Sequence, residues 1–262
     1  MTADQWLRGE VADGVATLTI DRPGKRNAMS TAMWRRLPVL LDGFAADPSV
    51  RVVVLTGAGG DFSAGADIGE LAEIGRRGDP HPSTVAEEAL AGFPKPTIAA
   101  IEGFCVGGGC QLALACDLRF AVAGARFGIT PARLGIVYPL SATRRLVRQI
   151  GASSAKYLLY SAELISAPHA LRIGLLDEVV EDGTALRERV AAFAATLASR
   201  SLLTQRATKE IVTALSAGDD ADTLALRWMR EAGGPSGDMH EGIAAFHERR
   251  PPSFTWTTPR PS

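Results

Sequence analysis

An α/β fold, with strands and helices in separate layers, is what this sequence predicts. Short runs of β-branched or small apolar residues bounded by glycine or proline alternate with stretches of helical period. The composition, 46% hydrophobic and 22% charged over 262 residues, is that of a globular chain with enough length to bury a real core. Two strand-to-helix transitions pass through glycine-rich turns, "GAGGDFSAGADI" and "EGFCVGGGCQLAL".

From the N-terminus, "LRGEVADGVATLTIDRP" alternates polar and apolar residues on either side of Asp13-Gly14, which predicts a β-hairpin. "STAMWRRLPVLLDGFAAD" has helical period with Ser30 as N-cap, weakened by its internal proline. "VRVVVLTGAG" and "KPTIAAIEG" are expected to be buried strands, followed by helices over "ADIGELAEIGRRG" and "CQLALACDL". "RRGDPHPSTVAEEAL" is expected to be a mobile connection before a helix. Beyond Pro168 the pattern is mostly helical, through "SAPHALRIGLLDEVV", "ALRERVAAFAATLASR", "LLTQRATKEIVTALSAG" and "DTLALRWMREA". The proline-rich end is expected to be disordered in its last residues.

A formal net charge of −1 gives no electrostatic footprint for nucleic acid or an anionic membrane. The short run "RRLVRQ" is expected to be a solvated helix face. The start lacks the pattern of a signal peptide and no apolar run approaches the ~20 residues of a membrane span, so a cytoplasmic protein is expected. Cys105, Cys110 and Cys116 lack zinc-site spacing, and buried reduced thiols are expected instead of a metal site.

The glycine turns carry the chemical signal. Each follows a strand and opens a helix, so each can aim backbone N–H groups at one oxygen, and two such donors make an oxyanion hole. A dinucleotide turn is excluded, because Phe62 stands where the last glycine of G-x-G-x-x-G is required.

The ordered segments "IDRPGKRNAMS", "FSAGADI", "KPTIAAIEGFCVGGGCQLALACDLRFA", "FGITPARLG" and "EGIAAFHERRPPSF" resemble the crotonase superfamily, the enoyl-CoA hydratase/isomerase group, from about Trp6 to Phe254. The resemblance implies a spiral of β-β-α units over 1–195 and a C-terminal helical region and tail over 196–262 that packs homotrimers or dimers of trimers. It implies an acyl-CoA substrate, coenzyme A being part of that substrate and no other cofactor. By position, the amides of Ala66 and Gly108 hold the thioester oxygen beside Gly107. Lys25, Arg26 and Ala28 are expected along the CoA phosphates and adenine, with Ala64, Asp67 and Ile68 continuing the groove and Arg249 reaching it from the C-terminal helix.

Hydratases of this family use two glutamates, and the matching positions here are Gln111 and Pro131. Neither side chain transfers a proton, and losing one such group typically forfeits about 10²- to 10⁴-fold in rate. The "T-P-x-x-L-G-x-x-Y" spacing resembles the methylmalonyl-CoA decarboxylase branch, which implies a role for Tyr138 in orienting a carboxylate or supplying a proton. Loss of CO2 from a malonyl-type thioester needs no base, only an oxyanion hole and an apolar pocket. His81, His240 and Glu70 are candidate stand-ins for the missing acids, while Glu73 and Glu88 are expected to be solvated. Three readings stand: an enolate-forming enzyme, sharpest as a decarboxylase; a hydratase or isomerase with substitute groups; and an acyl-CoA-binding subunit without catalysis.

Overall fold

The computed structural model describes residues 3–70, 81–235 and 237–257. Strands β1 (Leu7–Ala12) and β2 (Val15–Ile20) form the expected hairpin, with Asp13 and Gly14 both at positive φ (49° and 80°), as a tight hairpin turn requires. β2 then pairs in parallel with β3 (Val52–Gly57), and β3 with β4 (Thr97–Ile101). Every residue from Val52 to Leu55 and from Thr97 to Ile101 is buried, which is the reason those runs are apolar without alternation. β6 (Leu118–Val122) and β9 (Glu178–Val180) complete a six-stranded sheet in the order β1-β2-β3-β4-β6-β9.

A second, smaller set of strands runs beside the first. β5 (Phe104–Val106), β7 (Arg126–Gly128) and β8 (Ile165–Ser166) form it, and single bridges extend it from β5 to Ser63 and from Ala66 to Met29. Each turn of the chain therefore adds one strand to the large sheet and one segment to the small one. That repetition is the spiral, and it places the two glycine turns on adjacent rungs.

The helix Thr31–Ala46 begins as expected, the Ser30 hydroxyl accepting from the Met33 N–H at 3.3 Å. Pro38 lies inside this helix and does not end it, because Met33, Trp34, Leu37, Leu41 and Phe44 bury the same face on both sides of it. The segment expected to be helical over 66–78 turns helical at Ile68, and its residues beyond Glu70 lie outside the described ones. Of the expected mobile connection, 76–80 lie outside them as well, and the helix Pro82–Ala91 follows.

Two expected helices contain strands. In "CQLALACDL" the helix is Gly108–Ala115, and β6 starts at Leu118, pinned where the Asp117 carboxylate accepts from both Thr97 N (2.8 Å) and Thr97 Oγ1 (2.9 Å). In "SAPHALRIGLLDEVV" only Ala167–Arg172 is helical, and the end forms β9 beside β6. The long helix Leu140–Ser161, kinked at Gly151, contains "RRLVRQ".

The helices Gly183–Ala198, Leu202–Ala217 and Asp222–Gly233 follow the expected pattern, and a further helix, Met239–Glu248, comes after them. Leu202–Ala217 and Asp222–Gly233, with Trp256 of the tail, carry their own apolar cluster of Leu202, Leu203, Ala207, Trp228 and Trp256, apart from the main core. Arg51 ties this region to the sheet, its guanidinium donating to Arg200 O (3.0 Å) and Trp256 O (3.3 Å). Residues 258–262, where disorder is expected, lie outside the described ones. No helix among the described residues is long and apolar enough to cross a membrane.

Candidate active site

The two glycine turns meet because glycine lets the backbones touch. A Cβ on Gly65, which holds φ at +98°, would lie 2.7 Å from Val106 O and 2.9 Å from Gly108 N. A Cβ on Gly109 would lie 2.4 Å from Ser63 O and one on Gly108 3.0 Å from the Trp34 ring, so close approach requires these two glycines, while Gly107 holds a φ of +54°. Met29 donates to Gly65 O (2.7 Å) and accepts from Asp67 N (2.9 Å), which uses one edge of this segment. The Ala66 N–H therefore faces the other way, toward Gly108.

Neither the Ala66 nor the Gly108 N–H donates to a backbone carbonyl among the described residues. A Cβ on Gly108 would lie 3.2 Å from Ala66 N. Gly108 also opens the helix Gly108–Ala115, which is buried from Gly109 onward and whose dipole adds positive potential there. Two such donors converging at a helix N-terminus can hold one anionic oxygen.

These amides stand in a cavity of about 380 Å³ lined mainly by apolar side chains. Ala64, Ala66, Ile68, Gly107, Gly108, Gln111, Pro131 and Tyr138 all line it. Trp34 and the segment from Leu134 to Pro139 supply most of the remaining wall. The Tyr138 hydroxyl donates at 3.1 Å to Gly107 O, the carbonyl of the same peptide whose N–H is that of Gly108, and burial pushes its phenol well above the usual tyrosine range. It is therefore a neutral hydrogen-bond donor and not a phenolate at neutral pH.

His81 is in the wall too. Its Nδ1 accepts from the Ser83 N–H at 3.1 Å and lies 2.7 Å from Ser83 Oγ, which leaves the proton on Nε2. Burial holds its pKa below the usual imidazole value, so the neutral ring predominates at pH 7.

The other candidates are elsewhere. Glu70 caps a helix, accepting from Thr31 N at 2.6 Å, and Glu88 pairs on the surface with Arg145 at 3.1 Å. His240 and Arg249 belong to the helix Met239–Glu248 and its C-cap, outside the cavity wall. Glu73 lies outside the described residues.

Beside the cavity, Lys25, Arg26, Ala28 and Asp67 gather in one corner. Asp67 binds Lys25 (2.9 Å) and also Arg22 (2.8 Å), a residue to which no motif pointed, and these two cations hold its carboxyl down at about 2. The Arg26 guanidinium stacks 4.7 Å over the Phe104 ring, and Ala28 O accepts from Arg22 Nη1 (3.1 Å). All three cysteines are buried, and burial raises the Cys105 thiol well above its usual value and the Cys116 thiol to about 12, so these two are not nucleophiles. Among the described residues no cluster of His, Cys, Asp and Glu is disposed to hold a metal ion.

Sequence reasoning also missed what lies behind Gln111. Its Nε2 donates at 2.8 Å to Glu87, a carboxylate with no exposed surface, which further accepts from Ser141 Oγ (2.9 Å) and from Arg145 Nη1. Glu87 sits on a helical stretch whose neighbour Glu88 is exposed, so nothing in local composition marks it.

A spiral α/β fold with an apolar cavity ending in paired backbone donors is an arrangement with which an enzyme can stabilise an oxyanion. Residues 10–257 match the family model described as "Enoyl-CoA hydratase/isomerase". The chain is 37% identical to the 2,3-dehydroadipyl-CoA hydratase of Escherichia coli K12, over 92% of this chain and 94% of that one. It is 36% identical to a short-chain-enoyl-CoA hydratase of Clostridium acetobutylicum, over 90% and 92% respectively. It also superposes on a crystal structure of enoyl-CoA hydratase from Bacillus anthracis with a TM-score of 0.85, at 33% identity, covering 95% of this chain and 99% of that one. The chain belongs to the enoyl-CoA hydratase/isomerase family of the crotonase superfamily, as an acyl-CoA enzyme.

Proposed function

We propose that the protein acts on an acyl-CoA thioester through an enolate held by the Ala66 and Gly108 amides, without a carboxylate acid–base pair. The observation that carries this is the filling of the cavity wall beside those amides by Gln111 and Pro131, neither of which ionises. The sharpest form of the reading is decarboxylation of a short malonyl-type thioester. The bond from the α-carbon to the carboxylate breaks, CO2 leaves, and its electron pair becomes the enolate that the two N–H groups stabilise. A wall rich in Trp34, Pro131, Leu134, Ile136 and Val137 disfavours the carboxylate in the ground state. The α-carbon then takes a proton through the Tyr138 phenol, which regains one from solvent in the same step because burial disfavours the phenolate. In this reading CoA runs along Lys25, Arg26, Ala64, Asp67 and Ile68. The homotrimer or dimer of trimers belongs to it as well, packed through the C-terminal helices that expose Ile243 and Phe246.

Hydration or isomerisation is the second reading, favoured by one observation: His81 presents a neutral imidazole to the same cavity. The relatives' names point the same way. The purified protein is to be assayed side by side with crotonyl-CoA, following double-bond absorbance, and methylmalonyl-CoA, following CO2. CO2 release without hydration supports the proposal. Hydration at ordinary enzyme rates overturns it and makes His81 the proton-transfer group, while silence in both assays with CoA binding intact points to a binding subunit or another acyl group.

A further inference from the structure

The position where the family's first glutamate would stand has lost its charge, yet a carboxylate is only one side chain away. Glu87 Oε2 lies 2.8 Å from Gln111 Nε2, inside the protein and outside the cavity wall. The only other bond of the Gln111 side chain among the described residues is from Nε2 to Ser83 O at 3.4 Å. Both partners accept hydrogen bonds and neither donates. The amide therefore has one permitted orientation, NH2 inward and Oε1 toward the cavity that Gln111 lines.

Glu87 is itself fixed. Arg145 and Ser141, both on the helix Leu140–Ser161, donate to its two oxygens, so the carboxylate has no freedom to turn. Gln111 is 2% exposed, which leaves its Oε1 no outlet but the cavity. Gly108 and Gln111 are three residues apart on one helix, share a face and both line the cavity. An acyl group whose thioester oxygen meets the Gly108 N–H therefore runs past the Gln111 side chain.

We propose that Glu87 is a positioning residue that clamps the Gln111 amide, making its carbonyl oxygen a permanent neutral acceptor for a hydroxyl donor on the acyl group. The inference rests on the acyl-CoA reading but not on which reaction follows. It also explains why glutamine stands at this position: a carboxylate at 111 would face the Glu87 carboxylate at hydrogen-bond distance.

Two experiments test it. In the first, dissociation constants are measured for 3-hydroxybutyryl-CoA and butyryl-CoA. The unmodified protein should prefer the hydroxy thioester by roughly 2- to 12-fold, the equivalent of one net hydrogen bond. In Glu87→Gln the inner partner offers both a donor and an acceptor, so the preference should fall toward unity while butyryl-CoA binds as before. An unaltered preference overturns the clamp, and no preference in the unmodified protein overturns the acceptor. In the second, Gln111→Glu should lower the Tm at pH 7 by roughly 5 °C or more, and adding Glu87→Gln should restore it. Equal Tm values for Gln111→Glu with and without Glu87→Gln overturn the pairing. The swapped pair serves if Glu87→Gln alone does not fold. If neither thioester binds the unmodified protein, the acyl-CoA reading fails while the Tm comparison still decides the clamp.

Discussion

Replacing Gly65 by alanine strikes the oxyanion hole without touching a side chain that meets substrate. The new Cβ would sit 2.9 Å from Gly108 N and 2.7 Å from Val106 O, distances that force the two turns apart. The residue would also have to hold φ at +98°, which is outside the ordinary range for alanine and costs about 1–3 kcal/mol. For a chain of this size each kcal/mol lowers the Tm by about 2–4 °C, so a fall of roughly 2–12 °C is expected. Displacing one oxyanion donor should lower kcat by about 10²- to 10³-fold. A binding assay isolates the cause: butyryl-CoA should lose affinity, whereas the butyl thioether of CoA, which has no carbonyl oxygen, should bind as before. Equal loss for both ligands, or an unchanged kcat in a folded variant, would refute the placement of the hole.

Other outcomes follow from the same geometry. Tyr138→Phe should lower turnover while leaving CoA affinity nearly intact, and an unchanged rate removes the phenol from the mechanism. Asp67→Asn should destabilise the protein at neutral pH. Lys25 and Arg22 depress the Asp67 carboxyl from 3.8 to about 2, so its contribution is present above 3.8 and is lost as pH falls through about 2. The stability gap between the two proteins, from denaturant titration, should therefore close only below pH 3.8. Lys95 behaves oppositely: burial lowers its pKa from 10.5 to about 8 while its ammonium donates to Phe44 O (2.8 Å) and Asp47 O (2.7 Å). Between those two pKa values the unfolded chain binds more protons, so stability relative to Lys95→Met should rise with pH from about 8 to 10.5.

The hairpin at Asp13-Gly14, the Ser30 cap and the buried strands are legible because each rests on chemistry within a few residues. β6 and β9 are not. Leu118–Val122 and Glu178–Val180 are short apolar runs next to true helices, and only pairing with each other and with β4 makes them strands. The same limit governs the site. The glycine turns announce bare amides, and Gln111 and Pro131 are visible as substitutions in a family pattern. Glu87 is invisible, because its partners Gln111, Ser141 and Arg145 come from two other helices and no local signal separates it from the exposed Glu88. His81 reads as a surface residue until Ser83 fixes its ring in the cavity wall.

The most direct test of the central claim is the infrared carbonyl band of butyryl-CoA carrying ¹³C at the thioester carbon, recorded free and bound. Two amide donors aimed at the oxygen should move the band to lower wavenumber on binding and should do so less in Gly65→Ala. A bound band at the position of the free ligand, with saturation confirmed, would contradict the assignment of Ala66 and Gly108 as the groups that stabilise the enolate.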